Sequence, residues 1–162
     1  MALEADIDLF AQVPALRLLG PDALRILAIS AEAKTLRDGD VLFHEGEEAD
    51  AGYVVESGAL SLQRGRGANM RETAVARRGA LLGETVLLVE TVWPGTATAL
   101  EPSRVLRIPR GVFLRMLEGE PEGARKLRAR LAAQLLHTIG EIDALRPRFE
   151  TEDDERDDEV RR

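Results

Sequence analysis

Between residues 35 and 84 the chain consists of short apolar runs, interrupted about every 8–12 residues by glycine, aspartate or asparagine. The runs lie at residues 41–43, 53–55, 59–63 and 72–76, and a further one, SRVLRIPR, lies at residues 103–110. Evenly spaced short strands of this kind are typical of an antiparallel sandwich or barrel. Gly39, Gly46 and Gly58 stand between runs, where hairpin turns need positive φ, and are predicted to be turn residues.

The apolar period is helical on both sides of this region. Residues 6–33 place Leu24, Leu27 and Ala28 three and four positions apart, and Pro21 and Asp22 after Gly20 predict a new helix there. GVFLRMLEG, after Arg110, predicts a short helix, and Pro121 opens a long one. Its apolar positions are Leu127, Leu131, Leu135, Ile139, Ile142 and Leu145.

These patterns together predict a mainly β fold with α-helices: an antiparallel β jelly-roll (double-stranded β-helix) with N-terminal helices and a long C-terminal helix. We expect one domain over residues 1–150, with helices at 6–36, the β-roll at 37–110, and a hinge and long helix at 111–146. Residues 151–162, TEDDERDDEVRR, hold seven acids and three arginines. Such a segment has too little apolar surface to fold and is predicted to be disordered.

Composition excludes several classes of protein. There is no cysteine among the 162 residues, no apolar run long enough to span a membrane, and no basic leader at the N-terminus. A cytoplasmic location and no membrane partner are therefore expected. Arginines 64, 66, 77 and 78 are interpreted as solvated loop charges, and the acidic tail argues against nucleic-acid binding.

Catalytic constellations are absent from the sequence. The two histidines are far apart in the sequence: His44 is interpreted as a surface residue at a turn and His137 as a residue on the face of the long helix, so we predict no metal site and no cofactor. No nucleophile elbow or phosphate-binding Walker loop is present. We therefore expect that the chain is not an enzyme.

Five motifs in order resemble one family. LFAQVPALRLLGPDALRILA, LRDGDVLFHEGEEAD, YVVESGALSL, RRGALLGETVLL and SRVLRIPRGVFLRML are similar to successive segments of the cyclic nucleotide-binding domain of the catabolite activator and FNR (Crp/Fnr) superfamily. The resemblance runs from about Leu9 to Leu145. The chain ends in acids shortly after Leu145, so a standalone domain without the helix-turn-helix, and without direct DNA binding, is expected.

The resemblance implies a phosphate-binding cassette and a possible cAMP or cGMP ligand. In the family a short helix presents backbone N–H groups to the cyclic phosphate, a glutamate holds the ribose hydroxyl, and an arginine pairs with the phosphate. Carried over to this sequence, Glu84 matches the ribose-binding glutamate. The implied ligand-binding residues are Leu82, Gly83, Glu84, Thr85, Gly95, Thr96 and Ala97.

The family's arginine is missing. Its Pro-Arg-(Ser/Ala)-Ala-Thr motif corresponds to Pro94-Gly95-Thr96-Ala97-Thr98, and residues 93–100 contain no basic side chain. Loss of one partner of a buried charge pair costs about 2–5 kcal/mol, or roughly 30- to 4,000-fold in affinity. Lys34 or Arg77 are candidates for a replacement cation. If the pocket is open, Gly95→Arg is expected to create or tighten cyclic-nucleotide binding.

Two functional hypotheses remain open. In the first, the domain is a regulatory sensor that binds cAMP, cGMP or a related anionic nucleotide and signals through its C-terminal helix to an unidentified protein partner. In the second, the pocket is degenerate and filled by its own side chains, Trp93 among them, and the chain is a dimerisation or docking module. The apolar stripe of residues 121–145 exceeds what one small β-domain usually covers, so this helix either folds back on the β-body or pairs with a second copy, and we expect the homodimer.

Overall fold

Two helices and a 3-10 turn precede the β-strands in the computed structural model, which describes residues 2–134. The helices are α1 (Ala2–Gln12), α2 (Pro21–Ser30) and α3 (Arg110–Glu118), with the 3-10 turn at Leu16–Leu18 and helical conformation again over residues 121–134 (α4). Pro21 occupies the first turn of α2, as predicted, because its missing N–H would have no partner there. Leu24, Leu27 and Ala28 form the buried face of this helix.

Within the described part of the chain, ten strands form three antiparallel sheets. They are β1 (Glu32–Leu36), β2 (Val41–Phe43), β3 (Glu48–Ala49), β4 (Ala51–Ser57), β5 (Ala59–Arg64), β6 (Arg71–Arg77), β7 (Leu81–Leu82), β8 (Thr91–Val92), β9 (Thr96–Ala99) and β10 (Ser103–Pro109). The first sheet has the order β1-β10-β4-β7, the second β2-β9-β5-β6, and β3 pairs with β8. The mainly β jelly-roll with N-terminal helices and a C-terminal helix is thereby confirmed.

Five strands lie where the sequence pattern predicted strands, and the turns between them have the expected geometry. Gly39, Gly46 and Gly58 all have positive φ. The predicted helical region 6–36 is wrong at its end, because Glu32–Leu36 forms β1. Only Leu36 of this strand is buried, so its pairing with β10 decides the conformation and its own apolar pattern is too weak to show it.

The hydrophobic core lies between the two larger sheets. Its buried residues come from both of them and include three aromatic side chains, Phe43, Tyr53 and Trp93. β4 is buried over most of its length because β10 and β7 flank it on both edges. In the second sheet β5 and β9 pair in a fixed register, and residues at one end of this pair line the site described below.

The chain divides into two units, residues 1–125 and residues 126–162. The first contains every strand, helices α1 to α3 and the start of α4. Of the second, the described part, residues 126–134, is helical. The predicted single domain 1–150, the apolar positions from Leu135 onward, His137 and the acidic tail fall wholly or partly outside the described residues.

Candidate functional site

A cavity of about 440 Å³ opens beside the end of β5 and the segment between β7 and β9. Small-molecule pockets in proteins are typically about 300–1,000 Å³, so this volume suits a ligand of nucleotide size. The lining comes from three parts of the chain: the β5–β6 hairpin, the turn after β7, and the residues around β8 and β9. It comprises Phe43, Leu62, Gln63, Arg64, Thr73, Leu81, Leu82, Gly83, Glu84, Thr85, Val86, Thr91, Val92, Trp93, Pro94, Gly95 and Thr96.

The residues after β7 form a single helical turn that packs on β4. The N–H of Leu87 donates to the carbonyl of Gly83 at 3.1 Å, and the N–H of Val89 to that of Thr85 at 3.0 Å. The buried Leu87 side chain packs on Gly52 of β4, where a Cβ would lie 3.0 Å from its Cγ. The turn is therefore held on β4 by close packing.

Two backbone N–H groups at the start of this turn donate to no other backbone group of the described residues. Among the described residues, the N–H groups of Thr85 and Val86 form no backbone hydrogen bond, and both residues line the cavity. Successive free N–H groups at a turn form a concave anion-binding arrangement. The segment that corresponds to the implied cassette is a single turn, and its role in binding a phosphate stays a prediction.

Trp93 forms part of the cavity wall and is only 5% exposed. Its ring stacks on Phe43 with centroids 3.7 Å apart and planes at 5°, and it lies 6.0 Å from the Tyr53 ring. The outer edge of the indole approaches Gly83, where a Cβ would lie 2.8 Å from Cη2. The indole is therefore packed into the core cluster, and the cavity beside it stays open.

Gly95 sits tightly against the neighbouring strand. A Cβ at this position would lie 2.6 Å from the carbonyl oxygen of Gln63 and 3.5 Å from Cγ of Arg64. Real Cβ atoms essentially never come as close as 2.6 Å to a backbone oxygen. Any side chain at this position, including that of Gly95→Arg, therefore requires β5 to move, and tighter cyclic-nucleotide binding by Gly95→Arg stays a prediction.

The cavity lining carries two charged side chains, Arg64 and Glu84. The guanidinium of Arg64, an exposed residue at the end of β5, makes no hydrogen bond or ion pair with any residue of the described range. Glu84 does have a polar or charged interaction within the protein. Thr96 contributes a hydroxyl whose oxygen accepts the Glu45 N–H at 3.0 Å, so its hydroxyl hydrogen remains to be donated.

Arg110, the first residue of α3, donates hydrogen bonds to the turn and to β3. Its Nε donates to the carbonyl of Val86 at 3.0 Å, and its Nη2 donates to the carbonyl of Ala49. One half-buried guanidinium therefore joins α3, the cavity turn and β3.

The structure brings six of the seven residues implied by the resemblance to one cavity: Leu82, Gly83, Glu84, Thr85, Gly95 and Thr96. Ala97 instead is fully buried in the core on β9 and does not line the cavity. Lys34 and Arg77, considered as replacement cations, lie on β1 and β6 and do not line it either.

Sequence reasoning missed Arg64, Thr73 and Phe43 as cavity residues. Arg64 is the last residue of β5 and lines the cavity, where it had been interpreted as a loop charge. The signal that would have found it is the β5–β9 register, which pairs Gln63 with Thr96. That register depends on tertiary pairing, so no local pattern contains it.

Other kinds of site find no support in the described part of the chain. No group of three or more histidine, cysteine or acidic side chains is placed to hold a metal ion there. His44 is exposed and pairs with Glu47, its Nδ1 lying 2.6 Å from Oε1. Over the same residues, no helix has both the length and the apolar character that a bilayer crossing requires.

Comparison with known proteins gives consistent results. Residues 33–120 match the family described as Cyclic nucleotide-binding domain. The chain is 30% identical over 128 residues to the cyclic AMP receptor protein of Thermus thermophilus, covering 78% of this chain and 59% of that protein. The sensor domain of the transcriptional regulator DNR from Pseudomonas aeruginosa superposes with a TM-score of 0.76 at 26% identity, covering 86% of this chain and 94% of that one.

A further similarity covers only a small part of much longer proteins. The chain is 32% identical over 98 residues to lysophospholipase NTE1 of Chaetomium globosum, covering 60% of this chain and 6% of that protein. The chain thus spans less than a tenth of the length of the lysophospholipases that it matches.

Proposed function

The chain belongs to the cyclic nucleotide-binding domain family, and from that premise we propose that it is a regulatory sensor whose cavity binds cAMP, cGMP or a related anionic nucleotide. The observation that carries the proposal is the open cavity of about 440 Å³ on the residues that correspond to the family's cassette. Trp93 is stacked in the core beside it, so the space that a ligand would use is not filled by the indole.

The geometry supports a division of roles in the cavity. The unpaired N–H groups of Thr85 and Val86 and the hydroxyl of Thr96 supply donors for a phosphate. Glu84, at the start of the turn, supplies acceptors for sugar hydroxyls. Arg110 connects the turn to α3, which supports transmission of ligand occupancy towards the C-terminal helix and a protein partner.

A regulatory role without catalysis is part of the same proposal. The similarity to a cyclic AMP receptor protein and to a sensor domain supports it. The similarity to lysophospholipases covers too little of those proteins to bring their activity to this chain. A homodimer through residues 121–145 and a cytoplasmic location stay predictions from the sequence.

Isothermal titration calorimetry with cAMP, cGMP and cyclic dinucleotides at moderate salt tests the proposal. We expect saturable binding of at least one of them, and we expect Glu84→Ala to weaken it roughly 10- to 150-fold, since a hydrogen bond to a charged group contributes about 1.5–3 kcal/mol. Glu90→Ala is the matched control, because Glu90 is an exposed acid of the same segment that does not line the cavity.

Gly95 favours a second function, in which the pocket is degenerate and the chain is a dimerisation or docking module. A glycine at position 95 supplies no positive charge at the position where the family has its arginine. Absence of heat with every nucleotide up to about a millimolar would support this function and refute the sensor.

A further inference from the structure

The β5–β9 pair leaves no room for a side chain at position 95. A Cβ at this position would lie 2.6 Å from the carbonyl oxygen of Gln63 and 3.5 Å from Cγ of Arg64. Glycine is thus required here by the approach of the neighbouring strand. An arginine at position 95 is therefore incompatible with this position of β5.

Continued by one residue, the strand register places Arg64 opposite Gly95, which immediately precedes β9. β5 and β9 are antiparallel, and their partners run from Leu60–Ala99 to Gln63–Thr96, so the next pair in the same register is Arg64 with Gly95. Directly opposed residues of an antiparallel pair project their side chains on the same face, with Cβ atoms about 4.5–5.5 Å apart. A side chain at 64 therefore reaches the region that one at 95 would have reached.

The electrostatics of the cavity agree with this exchange. Arg64 is the single cationic side chain among the described residues that line the cavity, and its guanidinium has no partner within that range. Two arginines directly opposed across a strand pair would repel each other. A cation at 64 and a glycine at 95 form a compatible pair, as would the reverse arrangement.

We propose that Arg64 is the phosphate-binding cation of this pocket, supplied by β5 in place of the arginine that position 95 lacks. The proposal rests on the proposed function, since it names the residue that pairs with the phosphate of the nucleotide. Arg64 lines the same cavity as Thr85 and Thr96, so a phosphate bound there would be shared between its guanidinium and their donors.

Calorimetric titration of the full chain with cAMP and with adenosine tests this assignment. Arg64→Gln is expected to weaken cAMP binding at least about tenfold, since it removes a charged hydrogen-bond donor. It should leave adenosine binding unchanged, because adenosine carries no phosphate. Arg66→Gln, a change of an exposed arginine in the same hairpin that does not line the cavity, is the control and should leave both affinities unchanged.

The outcomes separate the assignment from the proposed function. Wild-type binding of cAMP that Arg64→Gln leaves unchanged overturns the role of Arg64 and keeps the sensor function. An equal loss of cAMP and adenosine affinity also overturns it, since the effect would then be structural. If wild type binds neither cAMP nor any other cyclic nucleotide, both proposals are wrong.

Discussion

Gly83 shows how one residue sets the geometry of the cavity wall. Its φ is +91°, and a Cβ on it would lie 2.8 Å from the edge of the Trp93 ring. Two separate costs therefore oppose any side chain at this position: the left-handed backbone and the displacement of a buried indole. Because Trp93 stacks on Phe43, moving the indole would also disturb the packing of Phe43 in the core.

We predict that Gly83→Ala lowers the free energy of unfolding by about 2–4 kcal/mol, of which about 1–2 kcal/mol comes from the backbone conformation. Urea denaturation followed by the fluorescence of the single tryptophan measures it. Gly79→Ala is the matched control, since Gly79 has φ +87° but open space around its Cβ position. Equal losses in the two variants would show that the Trp93 contact contributes nothing.

Arg64 and Gly95 show what residue-level sequence analysis cannot reach. The absence of an arginine from residues 93–100 is visible in the sequence, and so is Arg64. Their relation is not visible, because it depends on which residue of β5 stands opposite which residue of β9. A shift of one residue in that register would turn Arg64 to the other face of the sheet.

At the scale of elements, α3 and the cavity turn are joined by Arg110. Its two donors satisfy the carbonyls of Val86 and Ala49 at a half-buried position. A carbonyl that loses a charged donor away from water costs more than the bond alone contributed. The guanidinium therefore stabilises the turn, β3 and the start of α3 together.

We predict that Arg110→Met, which keeps the apolar stem, lowers the free energy of unfolding by about 1.5–3 kcal/mol. It should also weaken any nucleotide bound at the turn. Chemical denaturation and calorimetry measure the two effects. Arg115→Met serves as the control, because Arg115 lies on the exposed side of α3. A loss no greater than that of the control would mean that Arg110 does not hold the turn.

The elements that the sequence predicted are those with a local signal. Val41–Phe43 and Ala59–Arg64 alternate or form clear apolar runs between glycines, and α2 has both a proline start and a helical stripe. β1 was predicted as helix, and β8 has only two residues, Thr91 and Val92, neither of them buried. Such strands exist through pairing with distant partners, here β10 and β3, so their own residues do not specify them.

For the whole molecule, Tyr53 connects the two larger sheets. It lies on β4 of the first sheet, and its ring packs beside Phe43 of the second sheet, at 6.1 Å between centroids, and beside Trp93. Burial raises the pKa of its hydroxyl above the usual 10.0, and the nearby Arg107, which lowers it, only partly offsets this effect. Arg107 itself bridges Glu32 and Asp50 at 3.2 Å each.

Whether high pH raises or lowers the unfolding free energy depends on which protonation state of Tyr53 the folded protein favours. The folded protein favours the neutral phenol, so this contribution to stability is complete below pH 10.0, the pKa of an unperturbed tyrosine. It is lost as the pH rises through the higher pKa of the folded state. High pH should therefore lower the unfolding free energy of the wild-type protein through ionisation of Tyr53, and Tyr53→Phe should lack this part of the loss.

The chain contains one tyrosine, so its ultraviolet absorbance titration reports Tyr53 alone. We predict a midpoint in the native protein above that measured in concentrated urea, where the same residue is exposed. Above about pH 10 the wild-type protein should lose unfolding free energy relative to Tyr53→Phe. The full relative loss should be about 1.4 kcal/mol for each pH unit that separates the native and the urea midpoints. A native midpoint at or below the urea value would show that Arg107 outweighs burial, and the alkaline loss of stability would then have to come from other groups.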